Sequence, residues 1–361
     1  MNIVQTETLK GWGGQQNKVI SECIALKNEG HNITLICNPN SKILEYAKTK
    51  NIHVIPCRMN KRNFLSTIPF FLRYIKKNNI DLIITHGSTD SWIGGLSARI
   101  SSRKVISLRE RHNLFPISNF TSRWLHHTVF TGIISISDAV SDYLKEIGVN
   151  ENKIFNLPDS VDTKLFHKEK SDFREKNNIP SDAIVIGTLT ALRKEKGVWD
   201  CCDTIIEIMQ DEKIWFVFGG KNYTEIKNKI YEKLVKNNID TSRIIWTGFR
   251  KDVTNILNSF DIFLYPSHSE GLGTILLEAM ACSLPIIIYD IRPMSDLIIN
   301  DKNGLSASFG NTKQLASHCI KLRNDSTLRN EFGKNNRDLI IEQYSNEALQ
   351  NRMKKIVEKI S

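Results

Sequence analysis

Short apolar runs alternate with amphipathic stretches along the whole chain, and this alternation constrains the fold more than any other feature of the sequence. "MNIVQTE" is typical of a strand, "QQNKVISECIALKNEG" of a helix that ends at Gly30, and "NITLICN" of the next strand. Repeated units of this kind build parallel sheets with helices on both faces. The pattern pauses after "LPDSVDTKLF" and starts again at "AIVIGTL". The sequence therefore predicts an α/β protein with two doubly wound parallel sheets in series.

The domain organisation follows from where the pattern pauses and where it ends. We predict an N-terminal Rossmann-like domain over residues 1–168 and a C-terminal Rossmann-like domain over residues 169–343. Residues 344–361 contain the amphipathic stretch "NEALQNRMKKIVEKIS", which we expect to form a helix that packs back toward the first domain. Open parallel sheets bind ligands outside the carboxyl ends of their strands, so two facing sheets would bind a ligand in the cleft between them.

The composition bears on the compartment and on metal binding. The sequence contains no apolar run near the roughly 20 residues that span a bilayer. The start "MNIVQTETLKGWGG" lacks the basic and apolar regions of a secretory signal. The seven cysteines show no CxxC spacing, which favours buried thiols over a zinc site or a disulfide framework. We therefore expect a cytoplasmic protein without a bound metal.

The charge is concentrated in the first half of the chain. Residues 1–170 hold 23 Lys and Arg against 14 Asp and Glu, a net charge of +9 out of the total of +10. An anionic partner is therefore expected to meet the first domain. The segment 57–77 carries six Lys and Arg and no acid, but these cations are interleaved with aliphatic residues. Because no nucleic-acid-binding motif accompanies them, we do not expect nucleic acid as a partner.

The segment "SEGLGTILLEAMACSLP" (269–285) combines two carboxylates with a glycine-rich helix start. Gly271 and Gly273 permit close approach of a ligand, and the first amides of the following helix lack intrahelical partners. Such a helix start is suited to a diphosphate. The amides concerned are those of Gly273, Thr274 and Ile275.

The two glutamates would contact other parts of the same ligand. Glu278, one turn into the helix, is placed to accept hydrogen bonds from the hydroxyls of a ribose. Glu270, in the loop, is placed to reach the hydroxyls of a sugar attached to the phosphate. The alternative is an ordinary capped helix with one glutamate facing solvent.

Several segments resemble the family-four glycosyltransferases, which are retaining enzymes of the GT-B fold. The resemblance is carried by "DIFLYPSHSEGLGTILLEAMACSLPII", and also by "WGGQQNKVISECIALKNEGHNITLIC", "IISISDAVSDYL", "LPDSVDTKLF" and "WTGFRKDV". It implies two facing Rossmann-like domains that bind a nucleotide-sugar (UDP-, GDP- or ADP-linked) in the cleft, without a tightly bound cofactor or metal. It further implies that Glu270 contacts the donor sugar and that Glu278 contacts the ribose.

The resemblance also assigns the cations that neutralise the donor diphosphate, and here the sequence departs from the family. Lys196 and Gly197 match the family's Lys-Gly pair, but the usual arginine position five residues earlier is Ala191. Arg193 is the nearest substitute for the missing charge on the leaving group. A basic turn facing solvent is the alternative for both Lys196 and Arg193.

In the first domain, the candidates lie after predicted strands. Gly13 and Gly14 permit close backbone approach to the donor, although any tight turn can use glycines. The resemblance suggests that His86 touches the donor sugar, whereas a lone histidine is more often structural. Arg109, Arg111 and His112 are candidates for the acceptor side or ordinary loop charges. The retaining assignment depends on the resemblance, because no residue pattern identifies a base for an inverting reaction.

The resemblance and the charge distribution together suggest the acceptor. Much of 57–77 has the pattern of a basic amphipathic helix, which is typical of anionic membrane surfaces; the alternative is a helix packed on the sheet. We therefore expect transfer to a glycan or lipid-linked acceptor in lipopolysaccharide or polysaccharide assembly, with peripheral contact at the cytoplasmic face of the inner membrane. The competing hypotheses are a sugar-nucleotide epimerase of the same architecture and a non-catalytic, partner-dependent subunit, for which Ala191 is an argument.

Overall fold

The computed structural model describes residues 1–117, 120–221 and 223–361. The chain divides into two compact units. The first contains residues 1–160 together with 346–361, and the second contains residues 161–345. The contact boundary therefore falls after Ser160, whereas the sequence pattern predicted it at 168.

The first unit is built on a seven-stranded parallel sheet of order β3-β2-β1-β4-β5-β6-β7. Its strands are β1 (Asn2–Glu7), β2 (Asn32–Cys37), β3 (His53–Pro56), β4 (Leu82–Thr85), β5 (Ile106–Arg111), β6 (Gly132–Ser135) and β7 (Ile154–Asn156). The accompanying helices are α1 (Gly14–Asn28), α2 (Lys42–Thr49), α3 (Phe64–Lys77), α4 (Ser88–Ile100), α5 (Phe120–Trp124) and α6 (Asp138–Glu146). All four residues of β4 are buried, as expected of a central strand covered on both faces.

The second unit is built on a six-stranded parallel sheet of order β10-β9-β8-β11-β12-β13. Its helices before the sheet is complete are α7 (Phe173–Lys176), α8 (Val198–Ile208), α9 (Tyr223–Lys236), α10 (Val253–Leu257), α11 (Thr274–Ala281) and α12 (Met294–Leu297). Its strands are β8 (Ile184–Leu189), β9 (Ile214–Gly219), β10 (Ile244–Gly248), β11 (Ile262–Tyr265), β12 (Ile286–Tyr289) and β13 (Gly304–Ala307). Two further helices, α13 (Thr312–Asn324) and α14 (Ser326–Leu339), complete the unit. The predicted fold class, α/β with two parallel Rossmann-like sheets, is confirmed.

The last helix of the chain, α15 (Asn346–Ile360), belongs to the first unit. Leu349, Met353, Ile356 and Val357 on this helix are buried in the same core as β1 and α1. The chain also ends where it begins, because the Ser361 hydroxyl lies 3.6 Å from the Met1 sulfur. The first unit is thus completed by residues that follow the whole second unit in the sequence.

The apolar face of helix α3 packs in the interior of the first unit. Phe71 and Ile75 are buried in a core shared with β4, Ile68 is buried as well, and Leu65 is an exposed apolar residue of the helix. The basic residues 73, 76 and 77 lie on the exposed side. The sequence left open whether this apolar face meets a membrane or the sheet, and the structure packs it on the sheet. Among the described residues, no helix has both the length and the apolar character needed to cross a membrane.

Candidate active site

A cavity of about 320 Å³ lies at the carboxyl ends of the strands of the second unit. This edge is where parallel sheets bind ligands. Most of the lining residues lie at or after the ends of β8, β9 and β10, and one belongs to α11. They are Leu189, Thr190, Ala191, Gly219, Gly220, Lys221, Thr247, Gly248, Phe249, Arg250, Val253, Ile256 and Ile275. The walls are largely apolar, as is usual for the pocket of a small-molecule ligand.

The start of α11 is free of side-chain caps. Gly273 precedes the helix with a φ of +91°, and neither a capping side chain nor an acidic first-turn residue occupies the helix start. The first amide to bond back to Gly273 is that of Leu276, at 2.8 Å. The amides of Thr274 and Ile275 therefore precede the first intrahelical bond, and Ile275 also lines the cavity. This geometry suits an anionic group such as a phosphate.

Glu270 is held by three donors that converge on one oxygen. Its Oε1 accepts hydrogen bonds from Lys196 Nζ at 2.7 Å, from Ser267 Oγ at 2.8 Å and from the Tyr265 hydroxyl. The Lys196 and Glu270 side chains are 19% and 10% exposed. Because these three bonds use only Oε1, Oε2 is left to accept from a ligand hydroxyl.

The position of Lys196 depends on a glycine. Gly197 has a φ of +68°, and a Cβ added there would lie 1.9 Å from the Pro266 carbonyl oxygen. This close approach joins the turn at 194–196 to the loop after β11, where the His268 amide donates to the Glu195 carbonyl at 2.9 Å. A left-handed φ and such a contact are available only to glycine. The sequence signal "KEKG" therefore places Lys196 against Glu270.

Glu278 is half-buried on α11 between the buried residues Leu277 and Ala279. Burial raises the pKa of its carboxyl to about 8, because a charged carboxylate is poorly solvated there. Burial, with contributions from Glu270 and then Glu278, also raises the pKa of Tyr265 well above its usual value. The structure thus brings Glu270, Glu278 and Lys196 together around Tyr265 and the start of α11.

Arg193 is not brought to this site. Its side chain is more than half exposed, and its guanidinium pairs with Glu195 at 3.3 Å. Ala191 lines the cavity and supplies no charge. The sequence interpretation missed two cations of the cavity, Lys221 and Arg250. Their positions in the sequence could have identified them, because Lys221 lies two residues after β9 and Arg250 lies two residues after β10.

In the first unit, the glycine loop leads into α1 without a side-chain cap. Gly13 has extended backbone before the helix, and Gly14 is its first residue. The Glu7 carboxylate, at the end of β1, accepts from Gln15 at 2.8 Å and from Gln16 at 3.0 Å. Burial raises the pKa of Glu7 to about 7. The sequence interpretation missed Glu7, although its place at the end of a predicted strand could have identified it.

The basic candidates of the first unit lie together, but most of them face inward. His86 is buried, with Nε2 2.7 Å from Gln5 Oε1 and Nδ1 3.0 Å from His112 Nε2. Arg109 donates to the Gly87 carbonyl and the Ser91 hydroxyl. Arg111 donates to the carbonyls of Phe115 at 2.7 Å and Asn113 at 3.3 Å. Both guanidiniums thus bind groups of the chain itself.

Comparison with known proteins agrees with the fold. A tandem of two parallel Rossmann-like sheets is the architecture of the GT-B class, to which many glycosyltransferases belong. Residues 12–165 match the model "Glycosyltransferase Family 4", and residues 169–339 match "Glycosyl transferases group 1". The chain therefore belongs to the family-four glycosyltransferases and is an enzyme of that kind. This assignment replaces the alternative of an epimerase.

Three of the similar proteins come from bacteria. The chain is 24% identical over 364 residues to the UDP-Gal:alpha-D-GlcNAc-diphosphoundecaprenol alpha-1,3-galactosyltransferase of Escherichia coli, covering 94% of this chain and 92% of that protein. A glycosyltransferase structure from Rickettsia africae matches with a TM-score of 0.90 and 19% identity, covering 99% and 98% of the two chains. HepE of Anabaena in complex with UDP matches with a TM-score of 0.89 and 14% identity, covering 99% and 100%.

We predict that Gly197→Ala destabilises the second unit more than Gly248→Ala. Both glycines have a similar left-handed φ, +68° and +65°, but a Cβ at Gly248 meets no atom within 4 Å. The backbone strain should cost about 1–2 kcal/mol in both variants, and overpacking against Pro266 should add about 1–3 kcal/mol in Gly197→Ala alone. Urea unfolding followed by circular dichroism measures the difference. Equal losses in the two variants would contradict the close contact.

We also predict a pH-dependent gain in stability for Glu278→Gln. The folded carboxyl has a pKa of about 8, above the ordinary 4.5, so the folded state retains a proton that the unfolded chain releases. The free energy of unfolding of the wild type therefore falls as pH rises through that window. The Tm of the variant should equal that of the wild type near pH 4.5 and should be higher at pH 8–9. Each kcal/mol of free energy that the wild type loses through ionisation of Glu278 should correspond to a Tm difference of about 2–4 °C.

The control for this experiment is Glu212→Gln, an exposed glutamate of the same unit. Its Tm should follow that of the wild type at every pH. A Glu278→Gln variant that follows the wild type in the same way would refute the raised pKa.

Proposed function

We propose that this glycosyltransferase moves a sugar from a UDP-sugar to a lipid-linked glycan acceptor, with retention of the anomeric configuration, in the assembly of a cell-surface polysaccharide. The observation that carries the donor site is the Lys196–Glu270 pair beside the uncapped start of α11. Two similar proteins, a galactosyltransferase acting on a diphosphoundecaprenol acceptor and HepE in its complex with UDP, support the acceptor and the nucleotide.

The donor diphosphate binds at the start of α11, with its charge facing the Lys196 ammonium. As the bond between the sugar and the diphosphate breaks, negative charge builds on the leaving phosphate oxygen. Lys196 and the first amides of α11 are fixed before the reaction, so they stabilise this charge without reorganising. Glu270 orients Lys196 and accepts from a hydroxyl of the donor sugar through Oε2.

The nucleoside occupies the apolar cavity that follows β8, β9 and β10. Glu278 accepts from the ribose hydroxyls, and the base lies toward Phe249, whose ring has the Lys221 ammonium 4.7 Å from its centroid. Ala191 supplies no cation, and the Arg250 guanidinium is paired with Asp252 at 2.6 Å, so Lys221 is the cavity residue that can assist Lys196 in neutralising the diphosphate. The nucleotide-sugar is a substrate in this scheme, and it is the only small molecule that the scheme requires.

The first unit takes the acceptor and meets the membrane through charge. Its α3 uses most of its apolar face internally, so contact with a bilayer depends on the exposed cations of residues 58–77 and on Leu65. Clustered cations of this kind bind anionic lipid headgroups. We place this peripheral contact at the cytoplasmic face of the inner membrane.

We predict that Glu270→Ala and Lys196→Ala each lower kcat by at least about tenfold, equivalent to about 1.4 kcal/mol in the barrier. The measurement is release of UDP from UDP-glucose, UDP-galactose and UDP-N-acetylglucosamine by the purified chain, after thermal-shift screening of these donors with GDP-mannose and ADP-glucose as competitors. Lys194→Ala, an exposed cation of the same turn, is the control. Wild-type rates in both site variants would disprove the assignment, and binding without turnover by the wild type would favour a non-catalytic subunit.

We predict that the chain floats with anionic vesicles at low salt and that charge reversal on α3 abolishes this. The variant is Arg73→Glu with Lys76→Glu and Lys77→Glu, tested on vesicles of phosphatidylglycerol and phosphatidylcholine. The control carries the same change in charge at exposed positions of the second unit, Lys302→Glu, Lys313→Glu and Lys334→Glu. The proposed surface is wrong if the two triple variants float equally well.

A further inference from the structure

A group of buried charges lies at the carboxyl edge of the first sheet. The Lys18 ammonium is 3.5 Å from Glu22, 3.4 Å from Glu110 and 3.8 Å from Asp159. The Lys18, Glu22 and Glu110 side chains are at most 1% exposed. One ammonium thus faces three carboxylates, and the buried Arg109 guanidinium is a second cation that interacts with Glu110. Buried charges of this kind require a partner.

The hydrogen bonds of His86 fix which of its nitrogens carries the proton. The Gln5 side-chain amide donates to the Glu22 carboxylate at 3.3 Å, so its oxygen faces His86. An amide oxygen can only accept, and His86 Nε2 lies 2.7 Å from it. Nε2 therefore carries the hydrogen, and Nδ1 of the neutral ring presents a lone pair toward His112 and Glu110.

The Glu110 carboxylate is the member of the group that also lies beside His86. It is fully buried on β5, its Oε1 pairs with Lys18 at 3.4 Å, and its carboxyl group interacts with that of Glu22. Glu110 Oε2 lies 3.4 Å from His86 Nδ1, and the same nitrogen lies 3.0 Å from His112 Nε2. Three potential ligand atoms, one from each residue, lie within 4.8 Å of one another.

We propose that His86 Nδ1, His112 Nε2 and Glu110 Oε2 form a binding site for one divalent metal ion, with Zn²⁺ the preferred ion. Two imidazoles and a carboxylate are typical zinc ligands, and a tetrahedron with bonds of about 2.0 Å places neighbouring ligand atoms about 3.3 Å apart. The separations of 3.0 Å between His86 and His112 and of 3.4 Å between His86 and Glu110 fit that geometry, and all three ligand atoms lie within 4.8 Å of one another.

The surroundings meet the other requirements of a metal site. The Glu22–Gln5–His86 chain of hydrogen bonds orients one ligand from behind, as outer partners of metal-bound histidines do. The His112 side chain is 7% exposed, which provides an entry path from solvent. The ion would tie the end of β4 to the end of β5, at the edge that carries Arg109 and Arg111. The proposed metal site uses residues of the first unit alone and does not depend on the proposed function.

The direct test is the metal content of the purified full chain. After incubation with ZnCl₂ and dialysis, we expect one Zn²⁺ per chain by elemental analysis, and Co²⁺ substituted at the site should give the intense visible bands of tetrahedral coordination. Added Zn²⁺ should also raise the Tm of the wild type, because it binds the folded state. Wild-type chain that retains no metal and shows no Co²⁺ bands would overturn the proposal, with a proton on Glu110 then balancing the charge.

Variants locate the ion. His112→Ala and Glu110→Gln should each lose the bound equivalent and the Co²⁺ bands. Gln5→Ala should keep the stoichiometry but bind about 10–100-fold more weakly, because it removes only the outer partner of His86. His318→Ala, in the second unit, is the control and should bind as the wild type does. Full retention of metal by His112→Ala and Glu110→Gln would overturn the assignment, and a variant that fails to fold leaves the wild-type measurements decisive.

Discussion

The candidate donor site depends on one close contact between two loops of the second sheet. The turn before α8 approaches the loop after β11 so closely that only hydrogen fits at the Cα of Gly197, opposite the carbonyl of Pro266. This contact places a flexible lysine side chain against a fixed carboxylate. Without it, Lys196 and Glu270 would be separate charges on separate loops, and their hydrogen bond of 2.7 Å would cost side-chain entropy to form. The backbone contact therefore sets the positions of Lys196 and Glu270, and the attraction between their charges adds to an arrangement that already exists.

The two units share an architecture but use the carboxyl edge of their sheets differently. In the second unit, the edge holds a cavity, an uncapped helix start and half-buried polar groups that face it. In the first unit, the charged side chains at this edge are turned toward one another, around Lys18 and His86. An open edge suits a ligand that must arrive and leave with each turnover. A closed one suits a rigid support for the loops that follow β4 and β5.

The sequence predicted the features that depend on local pattern. The alternation of apolar runs is a direct result of buried parallel strands, so both sheets were evident, and the Glu270–Glu278 segment was evident from its glycines and spacing. Strands β7 and β13 were missed because "IFN" and "GLSA" are too short to show a period. The amphipathic pattern of α3 was visible, but a pattern does not say whether an apolar face meets a sheet or a lipid.

The features that the sequence did not predict depend on contacts between residues far apart in the chain. Arg193 was selected because it lies near the vacant arginine position, yet its side chain turns to Glu195, two residues away. His86 was selected as a single residue, although its environment is set by Gln5 and His112, which come from β1 and from the end of β5. Tertiary partners decide the role of such groups, and no spacing along the chain encodes them.

The packing of α15 on α1 has a consequence for how the molecule is made. Four of its side chains complete the core of the first unit, although they follow the whole second unit in the sequence. During synthesis the second unit can therefore finish its own sheet before α15 emerges, whereas the first unit keeps part of its interior uncovered until α15 is made. A nascent chain that has not yet added α15 would expose that surface to chaperones and proteases.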